Sequence, residues 1–389
     1  MREVFLDYAS TTPIDPDVLK AVTAAFTEDI GNPSSIHHFG RKAREDVEAN
    51  RDHVARLLGA KHDEIVFTAG GTESDNLAIK GVAYARKDKI KTKGPHIITS
   101  QIEHPAVLEP CRSLEADGYQ VKYLPVDKDG LIDPDELQRS ITKNTFLITI
   151  MTANNEIGTI EPIQEIGKIA HEHNILFHTD AVQAVGKLPI DVKKHNIDLL
   201  SLSAHKFYGP KGIGALYARN GIQIQPLMHG GGHEKGLRSS TLNVPGIVGL
   251  GKASQLASQR LTTDIDNMTK LRDHLIKRVL TIEESRLNGH PTKRLCNNAH
   301  FRFTGIEGES LLLGLDDKGI AASTGSACSS QKLQASHVLL AIGLSPVEAH
   351  GSLRFSLGRI TTRDDIDYVA DELPGIVNRL RQMSPMWNR

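Results

Sequence analysis

The sequence predicts an α/β fold built on a mostly parallel, doubly wound sheet, with a smaller α+β unit beside it. Three observations predict it. Short apolar runs alternate with amphipathic stretches from Ile65 to Tyr217. Those runs end in small, polar or glycine-containing turns, where open α/β sheets gather ligands. Beyond a long helical stretch, strands and helices mix without that alternation. At 389 residues the chain is long enough for two units. The expected division is a large unit over 15–260 and a small one from 1–14 and 261–389.

Each element has its own signal. Residues 1–14 read as an extended lead-in. Asp15-Pro16 starts a helix through about Phe26, with proline in its first turn. Gly31-Asn32-Pro33 marks a turn, and Gly40–Leu58 carries Val47, Val54, Leu57 and Leu58 on one face. Ile65–Thr68, His96–Ser100, Val121–Val126, Phe146–Met151, Ile175–His178, Ile197–Leu202 and Ile213–Tyr217 read as strands. Asn243–Glu284 is helical and links the two units. After it come strands near Ala299–Phe303, Ile320–Ser323 and Ser352–Ser356. Helices are expected near Ser310–Leu315, Ser336–Ala341 and Arg363–Arg381.

Composition narrows the function classes. Hydrophobic residues make up 39% and charged residues 24%, as in globular proteins. With 46 basic and 47 acidic residues there is no long-range field for nucleic acid or an anionic membrane, so neither is expected as a partner. Cys111, Cys296 and Cys328 are far apart and form no CxxC pair, which argues against a zinc site or a disulfide framework. A cytoplasmic location is the expectation. MREVFLDYASTTP contains no apolar signal core, and no apolar run is long enough to cross a bilayer.

The chemistry-bearing residues lie just past strand ends. Lys206, in SLSAHKFYGPKGIG, is a solvated loop lysine or, if its amine is tuned by burial and neighbours, a Schiff-base former. Ala69-Gly70-Gly71-Thr72 joins a strand to a helix start, either an ordinary capped turn or a phosphate cradle whose unpaired N–H groups face an anion. His104 is a loop histidine or a group that stacks on a ring and moves protons. Asp180 is a helix cap or a carboxylate that keeps a pyridine nitrogen protonated. Arg354 belongs to a structural ion pair or binds a carboxylate. Cys328 stands among small polar residues in STGSACSS that cannot bury it, a setting for a thiol that is used. Cys111 reads as packing.

Taken together, LDYASTTP, GNPSS, GGTESDN, EHPAV, NNEIGT, HTDAVQAVGKLPIDV, SAHKFYGPKGIGALY, GGGHEKGLRSST, STGSACSS and RFSLGR run nearly end to end. In order and spacing they resemble the cysteine desulfurases of the NifS/IscS type, in the class V aminotransferase family. That resemblance implies fold type I of the pyridoxal phosphate enzymes, with a seven-stranded type of sheet flanked by helices. It implies conversion of L-cysteine to L-alanine, with the sulfur held as a persulfide on Cys328. The sulfur would pass to an iron–sulfur scaffold or another acceptor. Lys206 would hold the cofactor as a Schiff base, Asp180 would hold its ring nitrogen, and Gln183 its ring hydroxyl. His104 would stack on the ring and transfer protons. Gly71, Thr72, Ser203 and His205 would hold the phosphate, with Thr241 reaching across from the second subunit of a homodimer. Asn155 and Arg354 would bind the substrate carboxylate. Cys328 would also be a transient iron–sulfur ligand shared with a scaffold. Gly71 and Ser240 depart modestly from the family pattern. The alternative is a selenocysteine lyase or another pyridoxal phosphate enzyme of the same fold.

Overall fold

Neighbouring apolar residues in a strand point to opposite faces, so a run apolar throughout is buried on both. The computed structural model, which describes residues 2–28, 30–86, 94–324 and 335–387, has such strands at its centre. The chain runs β1 (Val4–Phe5), α1 (Pro16–Thr27), α2 (His38–Leu58), β2 (Ile65–Thr68), α3 (Gly71–Arg86), β3 (His96–Ser100), α4 (Pro105–Ala116) and β4 (Gln120–Leu124). It continues through α5 (Pro134–Ser140), β5 (Thr145–Thr149), α6 (Ile163–Glu172), β6 (Leu176–Asp180), β7 (Leu199–Ser203) and β8 (Gly214–Ala218). Then follow α7 (Val244–Val279), β9 (Ser285–Asn288), β10 (Asn298–Phe303), α8 (Gly308–Asp316) and β11 (Ile320–Ala321). The last elements are α9 (His337–Ala341), α10 (Pro346–His350), β12 (Ser352–Ser356) and α11 (Arg363–Met383).

The central sheet has seven strands in the order β2-β8-β7-β6-β5-β3-β4. Ile98, Ile148, Phe177, Leu200 and Tyr217 pack into the core on one face, with residues of α1, α2 and α7. Their neighbours Ile97, Leu147, Leu176, Leu199 and Leu216 pack on the other, against α3 and α4. This is the doubly wound arrangement expected from the sequence. One strand departs from parallel: β8 runs antiparallel to both β2 and β7. The stretch from Ala204 to Ile213 is too short for the crossover that a parallel partner needs. At its start, Gly214 lies over the turn after β2. A Cβ there would meet the Gly70 Cα at 2.7 Å, so the close approach requires glycine.

A separate core gathers Leu275 and Val279 of α7, Phe301 and Phe303 of β10, Leu353 and Phe355 of β12, and Ile366 and Leu373 of α11. β12, β10 and β9 form its antiparallel sheet. The 36 residues of α7 span both cores, its first half packed on the large sheet and its end in the smaller core. The lead-in joins them too. Val4 pairs with Ile320, Asp7 bridges to Ser356, and Thr12 N–H donates to the His205 carbonyl at 2.9 Å. Boundaries differ in detail from the sequence reading. β4 stops before Val126, which instead bridges to Ile132.

One buried ion pair fixes a segment near the sheet's edge. Arg51 of α2 donates through both terminal nitrogens to the Glu234 carboxylate, each at 2.8 Å, and to the Ile65 carbonyl at 2.9 Å. Glu234 also accepts from the Phe67 N–H. Burial would lower the Arg51 pKa, but Glu234 and Glu48 outweigh it and hold the guanidinium above its usual range. Arg51→Met would leave a buried carboxylate without its partner. The expected loss is roughly 3–5 kcal/mol of unfolding free energy, read from urea titration. A loss below about 1 kcal/mol, the range of an exposed pair, would refute the assignment.

Candidate active site

The turns after β2, β6 and β7 converge with the lead-in and β12 on a cavity of about 720 Å³. Its lining includes Gly71, Thr72, His104, Asn155, Asp180, Gln183, Ser203, His205, Lys206 and Arg354. A larger cleft of about 1230 Å³, beside α5 and α6, contains none of these. Thr241 is exposed and does not line the cavity of its own chain. Cys328 lies outside the described residues, and with it the expected iron–sulfur ligand.

At one end α3 opens directly at Gly71, so the first backbone N–H groups of a long helix face the cavity beside Thr72 and Ser203. Glu73 in that first turn is drawn away. It accepts from the Ala69 N–H at 2.7 Å and from Arg238 at 2.8 Å. His205 shares a hydrogen bond with the Thr11 hydroxyl at 3.1 Å. Its pKa is pushed down to about 4 by burial, then by Lys206, Lys211 and Lys187, so it is neutral at pH 7.

Lys206 follows β7. Its Nζ donates to the carbonyls of Ala9 and Ser10, each at 2.7 Å. Gln183 Nε2 donates to the same Ala9 carbonyl at 2.8 Å. Arg354 of β12 is almost fully buried. It donates to the Asn155 carbonyl and Asp7 carboxylate, each at 2.9 Å, and to the Ser10 hydroxyl at 3.0 Å. Among the described residues its Nε has no partner. Arg354 is therefore in an ion pair and still keeps a free donor. His104 caps α4, its Nδ1 accepting from the Ala106 N–H, so the neutral ring carries its proton on Nε2. Burial lowers its pKa, and Asp180 opposes that shift.

Asp180, at the end of β6, accepts from the Val182 N–H at 2.8 Å, but no helix follows for it to cap. Burial raises its pKa, against His104, the Val182 N–H and Lys206. A buried carboxylate raised in this way gains most from a cation placed beside it. The helix start, the amine and this acid fit a phosphorylated, nitrogen-containing ring.

Several lining groups escaped the sequence reading. Ala9 and Ser10 act through backbone carbonyls, which no side-chain pattern reports, although LDYASTTP contains them. Glu156 accepts from the Ser336 hydroxyl, and His337 bonds to the Glu103 carbonyl at 2.9 Å. Asp75 falls on the buried face of α3 beside Ser74, Leu77 and Ala78. An acid on an apolar helix face was the available signal.

The aminotransferase class-V family model matches residues 4–369. The cysteine desulfurase IscS of Dictyoglomus turgidum is 55% identical over 99% of this chain and 97% of its own length. That of Methanosarcina thermophila is 56% identical, over 99% and 94%. The chain belongs to the class V aminotransferases, among the cysteine desulfurases. Among solved structures, a NifS-like protein superposes with a TM-score of 0.91 at 38% identity, covering 97% of this chain and all of that one. SspA in complex with cysteine gives 0.82 at 40% identity, covering 92% of this chain and all of that one. Members of this family are pyridoxal phosphate-dependent enzymes.

Glu103, fully buried under this family site, accepts from the Ser100 hydroxyl and the Met151 N–H. Burial outweighs those donors and raises its pKa to about 8. The folded protein then keeps a proton that the unfolded chain gives up near pH 4.5. This group therefore favours folding below pH 4.5, and that contribution is lost as the pH rises to about 8. Glu103→Gln removes the loss. Its unfolding midpoint is expected to gain on the parent's from pH 4.5 to 8 and then level off. A constant difference across that range would show that Glu103 is ionised in the fold.

Proposed function

We propose that this chain is a pyridoxal phosphate-dependent cysteine desulfurase. It converts L-cysteine to L-alanine and passes the sulfur, held as a persulfide on Cys328, to an iron–sulfur scaffold or another acceptor. The observation that carries this reading is the meeting of Lys206, Asp180 and Arg354 in one cavity opposite a helix start. Bound there, pyridoxal phosphate supplies an aldehyde that captures amines and a ring that accepts electrons from the substrate's Cα.

The chain's own residues have distinct tasks. Gly71, Thr72, Ser203 and His205 hold the phosphate, joined by Thr241 of a second copy. Asp180 holds the ring nitrogen, Gln183 the ring hydroxyl, and Lys206 is the covalent anchor. The unpartnered Nε of Arg354, with Asn155, receives the substrate carboxylate. The Lys206 amine takes the Cα proton, and His104 handles protons at Nε2. The Cys328 thiolate attacks the substrate sulfur. An S–S bond forms as the C–S bond breaks, and the carbon keeps the electron pair and takes a proton. Ser323 bridges to Arg354 and Ala335 lines the cavity, so the described residues flanking the Cys328 segment support its reach.

The same reading includes a homodimer, supported by the exposed Phe26, Ile36 and Phe39 on and after α1 and by the exposed Thr241. It also includes a cytoplasmic location and the division into units 15–260 and 1–14 with 261–389. Among the described residues no helix is long and apolar enough to cross a membrane.

Mass spectrometry after exposure to L-cysteine, paired with an alanine assay, tests the function. The parent protein is expected to release alanine and gain one sulfur on Cys328. Cys328→Ala should keep the cofactor and gain none, and Lys206→Ala should lose the covalent link. Alanine released by Cys328→Ala at the parental rate without added reductant would remove Cys328 as acceptor.

A further inference from the structure

Three carboxyls stand together beneath the cavity: Asp75 of α3, Glu103 just before α4, and Asp180 of β6. Their exposures are 1%, 0% and 6%. Their partners differ. Asp180 has the Lys206 ammonium as cationic company. Glu103 has the Ser100 hydroxyl and the Met151 N–H. Asp75 lines the cavity, yet among the described residues its Oδ1 has no hydrogen-bond partner.

The nearest basic group is His178 Nε2, 3.6 Å from that oxygen. It is no cation. His178 is fully buried, with Nδ1 2.8 Å from the Thr149 hydroxyl and Nε2 3.0 Å from the Ser201 hydroxyl. Burial holds its pKa down to about 3. Burial likewise raises Asp75 well above the usual carboxylate range, with Asp180 and Glu103 adding to the shift and Ser201 opposing it. The titratable groups around Asp75 are thus Asp180 and His178 of β6, Glu103 and His104 at the start of α4, and Lys206 beyond β7. Two buried carboxyls so placed share one charge, and the charge settles on the one with the Lys206 ammonium nearby.

We propose that Asp75 is a positioning residue for the ring end of the site: a neutral carboxylic acid, backed by Ser201 and His178, that leaves Asp180 as the carboxylate facing the cofactor. This rests on the reading of Asp180 as the ring-nitrogen partner. It adds a second acid whose proton, rather than whose charge, is used.

Asp75→Asn keeps a neutral donor of the same shape, Asp75→Leu removes it, and Asp180→Asn is the control. Infrared spectra of apoprotein carrying ¹³C-labelled aspartate read the protonation. Pyridoxal phosphate titration reads the effect. The parent at neutral pH is expected to show a protonated aspartyl carbonyl band that Asp75→Asn lacks. Asp75→Asn should bind the cofactor within about tenfold of the parent. Asp75→Leu should bind roughly ten- to a hundredfold more weakly, as when a supporting partner of a ligand-holding group is lost. If the band is missing from the parent, or if Asp75→Asn binds as poorly as Asp180→Asn, the proposal is overturned. Should Asp75→Leu fail to fold, the band and Asp75→Asn still decide. Failure of the parent to bind pyridoxal phosphate would overturn the proposed function instead, and the band would still report on Asp75.

Discussion

Two backbone carbonyls, those of Ala9 and Ser10, hold the Lys206 amine at 2.7 Å each, and the rest of the site is arranged around that grip. A lysine past a strand end has four rotatable bonds and would otherwise sample solvent. Here the lead-in closes over it. The lead-in is itself held by pairing with β11, by the Asp7–Ser356 bridge, and by Thr12 donating to the His205 carbonyl. The lysine comes from the large sheet and its acceptors from the lead-in, whose Val4 and Leu6 pack in the small core.

The floor of the cavity follows a different constraint. Carboxyls buried this deeply cannot all be charged, because each ion taken from water must be repaid by a partner. Asp180 has the Lys206 ammonium, Glu103 has three hydrogen bonds from protein donors, and Asp75 has a neutral histidine. Environment thus separates three groups of the same chemical type. A cation placed beside Asp180 would complete a pair that the floor leaves open toward the cavity.

Much of this was legible in the sequence, and particular residues show why. Ile97 and Ile98, or Leu176 and Phe177, are consecutive apolar residues bounded by turns, the mark of a strand covered on both faces. Lys206, Asp180 and His104 were found because strand ends are where such folds place chemistry. The direction of β8 follows from the length of a connection, which an apolar run does not encode. The grip on Lys206 comes from carbonyls, common to every residue type. Asp75 was hidden because an acid in a helix reads as solvated until the packing of that face is known. Thr241 belongs to the reading only through a second copy, which one chain's pattern cannot bring near.

Ser10 sharpens the consequence of building the site from two cores. Its carbonyl accepts from Lys206 and its hydroxyl accepts from Arg354. The amine expected to anchor the cofactor and the guanidinium expected to receive the substrate therefore hang on one residue of the lead-in. Arg354 is further fixed by Asp7 and the Asn155 carbonyl, so little of its geometry is free. Reaction geometry tolerates about 1 Å of error before rates fall by roughly a hundredfold. A displacement of the small core would reach Lys206 and Arg354 together through Ser10 and preserve their spacing, whereas separate tethers would let that spacing drift. The interval between anchor and substrate clamp is thus set within the lead-in itself, and the two cores need only agree on where that segment lies.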